Sequence, residues 1–111
     1  MPTTSHPQKV SLLELATYQP DAIVSRQIVK TETGSVTFFA FDAGQELSEH
    51  SAPFDALVHV LEGQVEIRIS GQPYLLQAGE AILMPAGQPH AVRAIQPFKM
   101  VLTMLRAEMS S

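Results

Sequence analysis

The chain carries four histidines, at positions 6, 50, 59 and 90, and no cysteine. Imidazole is the side chain that exchanges a proton near neutral pH and the commonest protein ligand for transition metals. Without thiols, the chain has no disulfides, zinc–thiolate centres, iron–sulfur clusters or cysteine nucleophiles. Any bound metal must be held by histidine, carboxylate or amide groups. His50, His59 and His90 fall in the middle and later parts of the chain, whereas His6 lies in a polar, proline-containing start and is read as solvated. Asp55 is the charged residue within the stretch Ala52-Pro-Phe-Asp-Ala-Leu57, a candidate ligand, a partner orienting a histidine, or a general base. It can equally be a turn residue capping its own backbone.

Short strands must position these groups. From Ile23 onward, runs rich in Val, Ile and Phe are separated by Gly and Pro at intervals of about ten residues, the punctuation of an all-β chain. The pattern predicts strands over 23–30, 35–41, 56–61, 64–70, 73–77, 81–84, 91–94 and 98–105. Gln64-Val-Glu-Ile-Arg-Ile69 alternates strictly, which predicts one buried and one exposed face. Residues 36–41 and 98–105 are apolar on both faces, which predicts strands covered twice, by a barrel interior and by a subunit interface. Arg68 and Arg93 alternate with apolar neighbours and are read as solvent-facing, like Glu46, Glu49 and Glu62.

Ahead of the strands, residues 1–10 read as a mobile arm, and Ser11-Leu-Leu-Glu14 has a capping-box pattern that predicts a helical turn over 11–16 docked on the main body. An arm with a short turn over 1–22 and a barrel over 23–111 is therefore expected. One core suits 111 residues, of which 45% are hydrophobic and 16% charged. The net charge of −4, without a basic cluster, argues against nucleic acid as a partner. The absence of a long apolar run and of a signal-like start predicts a soluble, cytoplasmic protein that does not engage a membrane.

Two segments carry a recognisable pattern. Gly44-Gln-Glu-Leu-Ser-Glu-His50 with the following stretch to Glu62-Gly63, and Gly79-Glu-Ala-Ile-Leu-Met-Pro85-Ala-Gly87-Gln-Pro-His90, resemble the two motifs of the cupin superfamily. The resemblance covers about residues 35–105. It implies an all-β double-stranded β-helix, the jelly-roll or cupin barrel, and a homodimer. In the second motif Gly79 permits a tight turn and Pro85, Gly87 and Pro89 fix the bend before His90. The resemblance makes His90 and His50 candidate metal ligands; the alternatives are a core histidine bonded to a backbone carbonyl for His90 and an exposed loop histidine beside Glu49 for His50. The first motif departs from the pattern, because the second usual histidine falls on Ala52 and the usual glutamate on Ala56 or Leu57; a usual asparagine of the second motif falls on Ala94.

Alternation places Leu57 and His59 on one face and Val58 and Val60 on the other. If Leu57 takes the glutamate position, which faces the cavity in the family, His59 points inward too. His50, His59 and His90 then form a three-imidazole site for a divalent transition metal: iron, nickel, copper or zinc. The alternative for His59 is a hydrogen bond to Asp55, a tyrosine or water. Phe38 or Phe39, Phe54, Met84, Met100, Leu102 and Met104 are candidates for the pocket wall, and the methionines serve equally as core filler. The resulting expectation is a metal-binding cupin with a small organic ligand, dioxygenase- or isomerase-like if an enzyme. The alternative is a metal-free cupin that binds or senses a small molecule, and a third reading is a structural dimer with a vestigial pocket.

Overall fold

The apolar–polar alternation is realised as nine antiparallel strands in a computed structural model that describes residues 8–107. His6 and the first part of the expected arm, together with residues 108–111, lie outside the described residues. The strands are β1 (Ile23–Lys30), β2 (Gly34–Phe41), β3 (Glu46–His50), β4 (Phe54–Glu62), β5 (Gln64–Ile69), β6 (Gln72–Gln77), β7 (Ala81–Met84), β8 (His90–Ala94) and β9 (Phe98–Arg106). A five-stranded sheet runs β1-β2-β9-β4-β7 and a four-stranded sheet runs β3-β8-β5-β6. Every strand except β3 matches a stretch predicted from the sequence. Glu46-Leu-Ser-Glu-His50 holds a single apolar residue and gives no strand signal; it is recruited at the edge of the smaller sheet by pairing with β8.

The two sheets enclose one core. Val65, Ile67 and Ile69 of β5 meet Val58 and Val60 of β4 and Phe98 and Met100 of β9, with Phe41 stacked 4.6 Å from Phe98 between ring centroids. The strict alternation of β5 is thus explained, since its odd residues face this core while Glu66 and Arg68 face out. Phe39 also packs on this core, whereas Phe38 points to the opposite side of β2.

That opposite side is covered in part by the chain's own N-terminal segment. Leu15, Ala16 and Tyr18 form a strap over Phe38 and Ala40, with Val24, Ile28, Leu61 and Val101 completing a second cluster. The predicted helical turn is a 3-10 turn over Leu12–Glu14. Ser11 makes no side-chain cap; its carbonyl accepts from the Glu14 N–H instead, because three residues are too few for a reciprocal box. The strap is held by polar bonds as well. Buried Lys99 donates through Nζ to the Leu13 carbonyl at 2.5 Å, lies 3.9 Å from the Glu62 carboxylate and sits 5.0 Å from the Tyr18 ring centroid. The Tyr18 hydroxyl donates to the same carboxylate at 2.5 Å. Burial, and then the hydrogen bond and negative charge of Glu62, push the Tyr18 phenol well above its ordinary range, so it stays a donor.

Between β4 and β5 the chain reverses at Gly63, with φ of +83° and an ideal Cβ position only 2.0 Å from the Pro97 carbonyl oxygen. Gly71 has the same backbone conformation, φ +82°, with nothing within 4 Å of its Cβ position. Gly71→Ala is expected to cost about 1–2 kcal/mol from the left-handed conformation alone, whereas Gly63→Ala adds a backbone clash and is expected to cost at least about 3 kcal/mol. Urea unfolding of the two variants beside the unsubstituted protein measures the difference.

Candidate functional site

The site lies where the end of β3 meets the start of β8. His50 and His90 are cross-strand partners, and their rings meet edge to face with centroids 4.4 Å apart. A bulge makes this possible. Leu47 pairs with Val92 and His50 with His90, so β3 spends three steps where β8 spends two. Simple alternation from Leu47 would turn His50 outward; the extra residue reverses the phase and returns it to the side of Leu47. On the next strand of that sheet, His90 is flanked by Ile69.

Both rings are oriented by their own backbone. His50 Nδ1 lies 3.0 Å from the Ser48 carbonyl oxygen and His90 Nδ1 lies 3.3 Å from that of Gln88. A carbonyl can only accept, so each Nδ1 donates and each neutral ring keeps its lone pair on Nε2. Neither Nε2 has a hydrogen-bond partner among the described residues. The loop that delivers His90 is tied down twice: Ala86 N–H donates to Asp55 Oδ1 and Gly87 N–H to the Ala52 carbonyl, each at 2.9 Å.

Behind the two imidazoles lies an apolar cavity of about 60 Å³. Its wall is Leu47, Ala52, Phe54, Ala56, Met84, Val92, Met100, Leu102 and Met104. Phe54, Met84 and Met100 were singled out from the sequence, as were Leu102 and Met104. Leu47 and Val92 were not, because their place depends on the β3–β8 register. A larger open groove of about 400 Å³ on the outside of the smaller sheet is lined by Glu46, Ser48, Glu66, Arg68 and Arg93. Both arginines share one carboxylate there, with Arg68 and Arg93 lying 3.2 and 3.8 Å from Glu66, as solvated surface charges do.

Two residues expected at the site are elsewhere. His59 is exposed on the outer face of β4, between Val101 of β9 and Ala81 of β7, because its neighbours Val58 and Val60 take the inward face. Asp55 lines no part of the cavity and caps no turn of its own; it holds the Ala86 amide. Of the two residues proposed for the usual glutamate position, Ala56 faces the cavity and Leu57 faces out.

Residues 37–105 match the cupin domain family model, well over half of the chain. The chain belongs to the cupin domain family. A solved structure of the conserved SPY1581 protein of unknown function from Streptococcus pyogenes is similar to this cupin over 96% of the chain and 93% of its own, with 36% identity and a TM-score of 0.88. A cupin 2 conserved barrel domain protein from Leptotrichia buccalis is 37% identical over 85% of the chain and 46% of its own, with a TM-score of 0.82. Among curated proteins, the tetracenomycin polyketide synthase protein TcmJ from Streptomyces glaucescens is 26% identical over 72 residues, 64% of this chain. The cupin spans about half (48%) of the length of that relative.

The donor set does not fit the divalent metal expected of the cupin. Among the described residues, no group of three His, Cys, Asp or Glu side chains is placed to hold a metal ion. Ala52 and Ala56, at the positions of two usual ligands, both line the cavity with methyl groups. With His59 outside, two imidazoles remain and no carboxylate joins them.

Burial holds the His90 imidazole below its ordinary range; the bond to the Gln88 carbonyl opposes the shift and nearby His50 adds to it. His90 is only 8% exposed, so it is the neutral ring that the fold accommodates. Below about pH 6.5 the unfolded chain takes up this proton and the folded chain does not. Stability is therefore expected to fall as the pH drops through that value, down to the lower folded value, with no contribution above it. A His90→Asn variant should lose this part of the slope, as read from urea unfolding in steps between pH 8 and 5.

Proposed function

We propose that this cupin binds a small organic molecule without a metal, seating its apolar part among the methionines and an acidic hydroxyl, an enol or a phenol, on the His50–His90 pair. The observation that carries this reading is the pairing of two imidazoles, both committed as Nδ1 donors, at the mouth of an apolar cavity. Two rings with centroids 4.4 Å apart, each keeping an acceptor nitrogen, suit a ligand that brings a proton, and a low-dielectric wall strengthens the bond. The depressed His90 supports it, since a neutral ring accepts a hydrogen bond that an imidazolium cannot.

Size limits the ligand. The cavity is about 60 Å³, comparable to the share of roughly two water molecules at about 30 Å³ each. A few heavy atoms enter, and the rest of a larger molecule remains at the mouth beside exposed His50. The likeness to a protein named for a polyketide synthase adds modest support, because polyketide chains are built from enolisable carbonyl units.

The test uses chelator-treated protein and acetylacetone, a small β-diketone with an acidic enol form, with phenol as a second probe. Histidine side-chain nitrogen NMR is expected to show the Nε2 signals of His50 and His90 moving together and saturably, while those of His59 stay fixed. Ala56→Leu, which fills the cavity, should weaken binding at least tenfold while the protein remains folded. Failure of both probes to move either ring, or binding that appears only after iron, nickel, copper or zinc is added, would overturn the reading.

A further inference from the structure

On the outer face of the smaller sheet, Ala91 is a short residue among long ones. On β5 it faces Arg68, two residues along β8 stands Arg93, and the edge strand β3 brings Ser48 and Glu49 to the same groove. The groove of about 400 Å³ thus has a single methyl group in its floor, with arginines on one side and the acids of β3 on the other. The β3 bulge builds the acidic side. Leu47 and His50 both turn inward across it, so the two residues between them, Ser48 and Glu49, line the groove together.

Each arginine is held at one end only. Both direct Nε at the same Glu66 oxygen, and Arg93, which faces Glu46 and Glu66 in register, leans to Glu66. The terminal Nη groups of Arg68 and Arg93 have no hydrogen-bond partner among the described residues. Glu46 and Glu49 have no ion-pair partner among them either. Two guanidinium forks and two carboxylates therefore line one groove, on strands β5 and β8 and on β3, with β3 and β5 about 10 Å apart across two strand spacings.

We infer that this groove binds a small zwitterion, a free amino acid or short peptide, with its carboxylate on the Nη groups of Arg68 and Arg93 and its ammonium against Glu46 and Glu49. The inference is independent of what the cavity binds. Charge decides between the ligand classes. The groove holds two guanidiniums and three carboxylates on a chain of net charge −4, so a bare anion meets a repulsive field. A bare cation leaves the guanidinium forks without a partner. A zwitterion carries no net charge to repel and offers each side its counterpart. Guanidinium grips a carboxylate through two parallel N–H···O bonds, which adds direction to the attraction. Glu66 is the positioning residue, because it fixes the Nε ends and leaves the forks free. Single exposed ion pairs are weak and screened by salt, so binding draws on both sides of the groove at once.

Titration of the full chain with glycylglycine at neutral pH, followed by NMR, tests this. The Nε–H signals of Arg68 and Arg93 and the Ala91 amide signal are expected to move together and saturably, while the methyl signals of Met84 and Met100 in the cavity stay fixed. Acetylglycine, which lacks the ammonium, and glycinamide, which lacks the carboxylate, should each bind about fivefold more weakly, the upper end of what an exposed ion pair contributes. Arg93→Gln should weaken glycylglycine by a similar factor, and the pair Glu46→Gln and Glu49→Gln should remove its advantage over acetylglycine. Ala91→Leu, which fills the floor, should abolish the response, with circular dichroism checking that each variant is folded. No saturable response in the unsubstituted protein, or shifts confined to Met84 and Met100, overturns the inference. So does acetylglycine or glycinamide binding as tightly as glycylglycine, or glycylglycine binding undiminished in Arg93→Gln.

Discussion

Ala56, Val58 and Val60 are packed between the two sheets, and their burial sets the phase of β4. Each valine contributes about 1.5–3 kcal/mol when removed fully from water. A slip of one residue would expose this set and force Leu57 and His59 inward, an exchange that also buries an imidazole without a designed partner. The outward position of His59, the inward position of the Ala56 methyl and the exposure of Leu57 all follow from that one choice. β4 pairs with both β7 and β9, so its phase is imposed on the sheet around it.

The cavity is the complement of the same choice. With only the methyl groups of Ala52 and Ala56 on that wall, space remains between His50, His90 and the methionines. The two imidazoles are oriented by nearby backbone carbonyls, so they need no ion to hold their tautomer. Flexible thioether side chains then line a pocket that can adapt to an irregular ligand. Asp55 serves this arrangement from outside by fastening the loop before His90, a positioning role carried through Ala86.

On the other side of the larger sheet, the strap covers part of one apolar surface. The strap is closed by a buried lysine that finds a carbonyl, a carboxylate and an aromatic face, so its desolvation is compensated at each end. The remaining surface has no such cover among the described residues. A strand with apolar residues on both faces needs two covers, and here the second one is supplied in part by the chain itself.

How much was legible differs between fold and site. Period-two alternation in β5, the β-branched and aromatic runs of β2 and β9, and the glycine and proline punctuation are local properties, and they determined the all-β class, eight strands and the position of the second motif. The pairing of His90 with a pocket of Met84, Met100 and Phe54 was legible through that motif. What local pattern could not decide was phase. Whether Val58 or His59 meets the core depends on packing against the opposite sheet, and whether His50 faces inward depends on a bulge paired with β8, which begins at His90, far along the chain. Alternation determines which residues share a face; only tertiary contact decides which face is inside.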